Sequence, residues 1–166
     1  MSTPKIPNQR PLEAPRCDPQ LPVFALQHRR EHNLMSAADF RFYNVTAWRL
    51  EKRGVAEYIV GHNITIGELE RQFGPSVDNP ARFGLHAEPL LAATLTKRRD
   101  VLRGETLVTQ IFTERIPCRE CHLFLEGVPY LRYTPRYFYL DYADKKWQVQ
   151  QAGDWSRFLM NCYRLL

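Results

Sequence analysis

The sequence predicts a single α/β domain, on three observations. Runs rich in β-branched and aromatic residues (42–50, 55–60, 106–112) read as strands, and they alternate with stretches of helical periodicity (86–99, 118–125). Such alternation places helices against a sheet. The 166 residues suffice for one hydrophobic core. The composition, 44% hydrophobic and 25% charged, is that of an ordinary folded chain.

Six of the twelve prolines fall within the first 22 residues: Pro4, Pro7, Pro11, Pro15, Pro19 and Pro22. Proline lacks an amide donor and fixes φ, so 1–22 is expected to be an extended leader or linker, with the domain over 23–166. Residues 23–32 predict a short helix ending in the basic cluster His28, Arg29 and Arg30. A second helical turn is expected from Ser36, a good cap residue, followed by Ala37 and Ala38.

Strands at 42–50 and 55–60 follow, with Glu51-Lys52-Arg53-Gly54 as a hairpin turn. After a polar connection bearing Gly67, Gly74, Pro75 and Pro80, residues 86–99 predict a helix. It carries Leu90, Leu91 and Leu95, with Lys97, Arg98 and Arg99 at its C-terminal end. Residues 106–112 suit a strand buried on both faces. A helix over 118–125 is entered through Pro117, where proline is tolerated. Strands at 135–142 and 147–151 and a closing helix over 154–166 complete the reading; Asp154 can cap that helix.

The net charge is +5 and the pI near 9.2. A basic balance favours polyanionic partners, nucleic acid among them, although many ordinary proteins carry such a surplus. There is no run of 18 apolar residues, and no apolar stretch near the start that would make a secretory signal. The expectation is therefore a protein that does not enter a membrane. Four cysteines do not make a disulfide scaffold. Cys17 and Cys162 stand alone, whereas Cys118 and Cys121 form a pair.

The chemistry sits in His86-Ala87-Glu88 and in Pro117-Cys118-Arg119-Glu120-Cys121. Zinc accepts imidazole nitrogen and thiolate sulfur in tetrahedral geometry. Two cysteines three positions apart on a helix's first turn can reach one ion, and the helix N-terminus favours the thiolate that binds it. With His86 as a third ligand, the fourth position is left to water, the mark of a catalytic site. Bound zinc lowers the pKa of that water toward neutrality, and Glu88 lies close enough to move protons without being a ligand. Other readings exist. A zinc ribbon needs a second cysteine pair, which Cys17 and Cys162 do not supply. A redox pair leaves His86 and Glu88 unexplained, and His86 taken alone is equally a structural histidine.

The pattern H-x-E followed by P-C-x-x-C resembles the signature of the cytidine deaminase-like superfamily of zinc-dependent nucleobase deaminases. Twenty-eight residues lie between Glu88 and Pro117, room for the rest of one helix, a strand and a loop. The resemblance implies one catalytic zinc ion on His86, Cys118 and Cys121, with Glu88 as the proton shuttle. His122 is not expected to be a ligand, since that set is already complete. The fold implied is a three-layer α/β/α sandwich around a mixed five-stranded sheet. Only residues 143–146 separate the last two strands, too few for a crossover helix, so these strands should form an antiparallel hairpin. That departs from the branch of polynucleotide and tRNA deaminases with parallel final strands. It is more similar to free-nucleoside enzymes and several toxin deaminases.

By the same resemblance Asn63, after the second strand, contacts the sugar of the bound nucleotide, although a loop asparagine also serves turns. Ala87 lines the pocket through its backbone amide. Tyr130, Arg132 and Tyr133, in the loop after the cysteine helix, are candidates for stacking on bases and holding phosphates.

The function implied is hydrolytic conversion of cytosine to uracil in nucleic acid, single-stranded DNA foremost. The phrase TERIPCRECHLFL (113–125), the proline-rich leader and the basic charge resemble bacterial polymorphic-toxin deaminase domains. Such a domain would act in the cytoplasm of a target cell after specialised secretion, with a cognate immunity protein as partner. The alternatives are a deaminase of free cytidine or another free nucleoside or base, and a zinc-stabilised binding module without catalysis. Glu88 argues against the last, because a purely structural site needs no such carboxylate.

Overall fold

The computed structural model describes residues 17–64, 68, 86–115, 119–140, 159–160 and 162–164; at 41, 115, 119–122 and 138–140 it describes the backbone only. In chain order these residues form α1 (Gln20–Glu31), α2 (Ala37–Phe42), β1 (Val45–Lys52), β2 (Val55–His62), α3 (Ala87–Leu95), α4 (Arg99–Leu102), β3 (Leu107–Arg115), α5 (Arg119–Gly127) and β4 (Arg136–Leu140). Residues 159–160 and 162–164 are helical, within the stretch expected to close the chain. The expected strand at 147–151 lies outside the described residues.

Local chemistry accounts for the first elements. Ser36 caps α2 reciprocally: its hydroxyl accepts from the Asp39 amide, and the Asp39 carboxylate accepts from the Ser36 amide. Because α2 runs through Phe42, the next strand starts at Val45 rather than at the expected position 42. Arg53 and Gly54 close the β1–β2 hairpin with φ of 51° and 77°. Two successive positive φ values give a turn whose twist matches that of the paired strands. Helix α1 starts at Gln20, three residues before the expected position, and buries Leu21 and Pro22.

The expected helix over 86–99 stops at Leu95. Arg98 leaves it with φ −100° and ψ 116°. Its guanidinium then binds Glu57 on β2 and Asp100, with nitrogen–oxygen distances of 2.6 and 2.7 Å. Asp100 also accepts from the Thr106 hydroxyl. Those bonds fix the short helix α4 and the entry to β3.

The four strands form one mixed sheet in the order β2-β1-β3-β4. Strand β1 is antiparallel to both β2 and β3, and β4 is parallel to β3. β2 and β3 therefore run in the same direction. Val45 faces His62 on one side, and Thr46 faces Thr113 on the other, so the C-terminal ends of β2 and β3 lie at one end of the sheet.

Alternation along the strands divides the core between two faces. On one, Val45, Ala47 and Phe112 pack with Leu21, Ala25, Leu26 and Phe40 of α1 and α2, and with Leu159, Cys162 and Tyr163. On the other, Trp48, Leu50, Val108 and Ile111 pack with Leu91, Ala92 and Leu95 of α3 and with Leu125 of α5. Each large side chain fully buried here contributes about 1.5–3 kcal/mol. Gly61 lets α3 approach β2 closely: a β-carbon there would lie 3.3 Å from Leu91 Cδ1.

The α1 face also holds a charge pair with no exposed surface. Arg29 Nε and Nη2 each donate to Glu114 at 2.7 Å. The remaining bonds run from Arg29 Nη1 to the Leu34 carbonyl at 2.8 Å and from Nη2 to the Tyr43 carbonyl at 2.7 Å. Glu114 further accepts from the Val45 amide and the Tyr163 hydroxyl. Burial works against the guanidinium's charge, but the carboxylate beside it raises the Arg29 pKa overall. No helix among the described residues is long and apolar enough to cross a membrane.

Candidate active site

The first turn of α3 lies at the end of the sheet where β2 and β3 finish. Helix α5 begins four residues after β3 ends, at Arg119. Cys121 stands on its first turn and Cys118 immediately precedes it. Cys118 and the Cys121 side chain lie outside the described residues. Helix α3 packs against α5 through the Trp48 cluster. The first turn of α3 is tied to the same end of the sheet by Glu88, whose Oε1 accepts from the Thr113 hydroxyl at 2.9 Å. His86 is the residue that opens α3, in extended geometry, and its side chain makes no capping bond.

Glu88 is buried, at 2% exposure. A buried carboxylate needs donors, and two come from residues that the sequence did not single out. Besides Thr113 on β3, Asn44 Nδ2 lies 3.3 Å from the same Oε1. Asn44 Nδ2 also donates to Thr113 Oγ1 at 3.0 Å, closing a triangle. The signal for Thr113 was present: it is a hydroxyl in phase with buried Ile111 on the α3 face of β3. Asn44 carried no comparable signal, since an asparagine just before a strand reads as turn chemistry.

Asn63 stands opposite Asn44 at the open end of the hairpin. Its Oδ1 accepts from the Asn44 amide at 2.6 Å, and its Nδ2 donates to the Phe42 carbonyl at 3.0 Å. Asn63 therefore reaches Glu88 through Asn44. Ala87, buried, is the first residue of α3, where backbone amides have no acceptor within the helix.

The structure does not bring Tyr130, Arg132 and Tyr133 to this end. They occupy the connection between α5 and β4, beside the start of β3, where the Thr134 hydroxyl donates to the Val108 carbonyl. Five residues of strand separate Val108 from Thr113, about 17 Å. Tyr130 donates to the Ala92 carbonyl and Arg132 Nε to the Glu126 carbonyl. Tyr133, 88% exposed, borders a shallow cleft of about 310 Å³ with Val101, Leu107 and Pro135.

The lone cysteines lie across the sheet. Cys162 is buried in the α1 cluster and Cys17 packs against it. Burial pushes their thiols up, to about 12 and about 11. Neither is positioned to join His86. The same face carries a histidine group, with His28 Nε2 2.7 Å from His62 Nδ1 and the His32 ring 4.0 Å from that of His28. Burial, reinforced by the neighbouring His32 and His62, lowers the His28 pKa to about 4, and burial likewise lowers that of His62. Among the described residues no group of three histidine, cysteine or acidic side chains is arranged to hold a metal.

The donor types are nevertheless ones that zinc accepts: an imidazole opening α3, with a buried carboxylate two residues on, and in the sequence the cysteine pair Cys118 and Cys121. The chain matches no family model, no curated protein and no solved structure.

Proposed function

We propose that this chain is a zinc-dependent hydrolytic deaminase that converts cytosine to uracil in nucleic acid, single-stranded DNA foremost. The observation that carries the reading is the placement of Glu88. It is a buried carboxylate on the first turn of α3, two residues from His86, at the sheet end where the cysteine helix α5 begins. The full fold in this reading is a three-layer α/β/α sandwich, with a fifth strand at 147–151 pairing with β4 as a hairpin. His86, Cys118 and Cys121 would hold the ion.

Zinc, when bound, supplies the Lewis acidity that makes water a nucleophile near neutral pH. Glu88 takes up a proton and delivers protons to the ring nitrogen and to the departing amino group, which leaves as ammonia. The buried setting excludes bulk water from that exchange. The basic charge of +5 favours a polyanionic substrate. As a toxin domain the chain would act in the cytoplasm of a target cell, with an immunity protein as partner.

A second reading, deamination of a free nucleoside, is favoured by one observation. Tyr130, Arg132 and Tyr133, the candidates for a polynucleotide channel, stand at the far end of β3 from Glu88. The deciding experiment measures uracil formation on single-stranded DNA, duplex DNA, RNA and free cytidine in parallel, with Glu88→Ala as control. Loss of the general acid–base should cost about 100-fold or more. Uracil in a polynucleotide, lost in the variant, supports the first reading. Conversion of cytidine alone supports the second, and no product on any substrate overturns both.

A further inference from the structure

Two neutral donors converge on one carboxylate oxygen of Glu88. Oε1 accepts from Thr113 Oγ1 at 2.9 Å and lies 3.3 Å from Asn44 Nδ2. A threonine hydroxyl has one hydrogen to give. Because Thr113 Oγ1 accepts from Asn44 Nδ2 at 3.0 Å, that hydrogen is directed at Glu88. The amide of Asn44 has one workable orientation here, since its reverse would set a carbonyl oxygen against the carboxylate. Asn44 is in turn fixed through its backbone amide by Asn63, which is anchored on the Phe42 carbonyl. A continuous series of bonds therefore runs from the end of the hairpin, through Asn44, to a single oxygen of the buried acid.

We propose that Thr113 and Asn44 are positioning residues for deamination, holding the Glu88 carboxylate through its Oε1 in the orientation from which it moves protons. The proposal rests on the deaminase reading given above. In each turnover the Glu88 carboxylate gains a proton from the attacking water and gives it to the ring nitrogen. A second proton passes from the addition intermediate to the amino group as the carbon–nitrogen bond breaks and ammonia leaves. The acid ends as it began. Oε1, with both donors aimed at it, keeps the carboxylate plane from turning. A plane free to rotate would misplace the proton-carrying carboxylate by on the order of 1 Å, which costs about 100-fold in rate.

The test uses the full chain, loaded with zinc, on the substrate found in the parallel assay. Thr113→Val keeps the shape of the side chain and removes the donor; it should lower kcat by roughly 10- to 100-fold with KM within about twofold. Thr113→Ser restores the hydroxyl and should return kcat to within about threefold of the unaltered protein. Asn44→Ala should lower kcat similarly, and the double variant should be little worse than the poorer single one, because the two donors act as a unit. Zinc content and thermal unfolding are measured on every variant, and Thr113→Ser carries the test should Thr113→Val fold poorly. Unchanged kcat in a folded, zinc-loaded Thr113→Val variant overturns the inference and leaves the deaminase reading standing. So does a Thr113→Ser variant as impaired as Thr113→Val. Absence of deamination by the unaltered protein overturns both.

Discussion

Glu88 and Glu114 are both buried carboxylates anchored at neighbouring positions of β3, Glu88 through Thr113 and Glu114 as the next residue, yet the described bonds to each differ in kind. Glu114 faces α1 and is met by a guanidinium in two bonds, a backbone amide and a phenol. Glu88 faces the α3 side, and its described partners, a hydroxyl and a carboxamide, are neutral. A carboxylate locked to a buried cation is a strut: changing either partner leaves the other charge stranded. A carboxylate held by neutral donors can exchange a proton without breaking an ion pair. Burial alone therefore does not set what a carboxylate can do; the groups around it decide.

The sharpest way to break that contrast is to remove one partner on each side. Arg29→Met leaves Glu114 buried and unpaired, and should cost about 3–5 kcal/mol in equilibrium urea unfolding. Replacing both, Arg29→Met with Glu114→Leu, should recover most of the loss, because an apolar pair of similar volume carries no desolvation penalty. Glu88→Ala should cost clearly less stability than Arg29→Met while removing activity. Equal stability losses at the two sites would erase the distinction.

Acid sharpens the comparison next. His28 on the α1 face has its pKa lowered from 6.5 to about 4, burial being the main cause. The unfolded chain then binds more protons than the folded one between those values, so stability falls as pH drops from about 6.5 to about 4. Allowing for the partial exposure of the ring, the loss should be about 1–2 kcal/mol. His28→Gln should flatten that part of the curve of stability against pH. The smallest effect is expected at Gly61, where the added carbon of Gly61→Ala meets the flexible end of Leu91 at 3.3 Å. It should cost about 1 kcal/mol in thermal unfolding, since the close contact forces a small shift of α3.

Where neighbours in sequence decide the structure, the structure was legible. The capping box at Ser36 and Asp39 and the turn at Arg53 and Gly54 are local, and both stand where the residues place them. The break at Arg98 was not legible, because what draws Arg98 out of the helix is Glu57, 41 residues away. The pairing of β4 alongside β3 likewise depends on a contact that no local pattern encodes. The H-x-E spacing singles out His86 and Glu88, and the structure sets them at the start of α3. Asn44 and Thr113 escaped because 69 residues separate them, and their significance exists only where the strands bring them to Glu88. The loop residues Tyr130, Arg132 and Tyr133 were chosen for their chemistry alone, without a path connecting them to the site.

The charge pair under α1 also constrains the opposite face. Successive strand residues point to opposite sides, so a one-residue slip of β3 would turn Glu114 toward the Trp48 cluster and Thr113 toward α1. That misalignment would bury an unpaired carboxylate on one face and an unpaired guanidinium on the other. Arg29 thus acts as a proofreader of strand alignment. By rejecting the slipped sheet it guarantees, from across the sheet and without touching the site, that a threonine hydroxyl is what Glu88 meets.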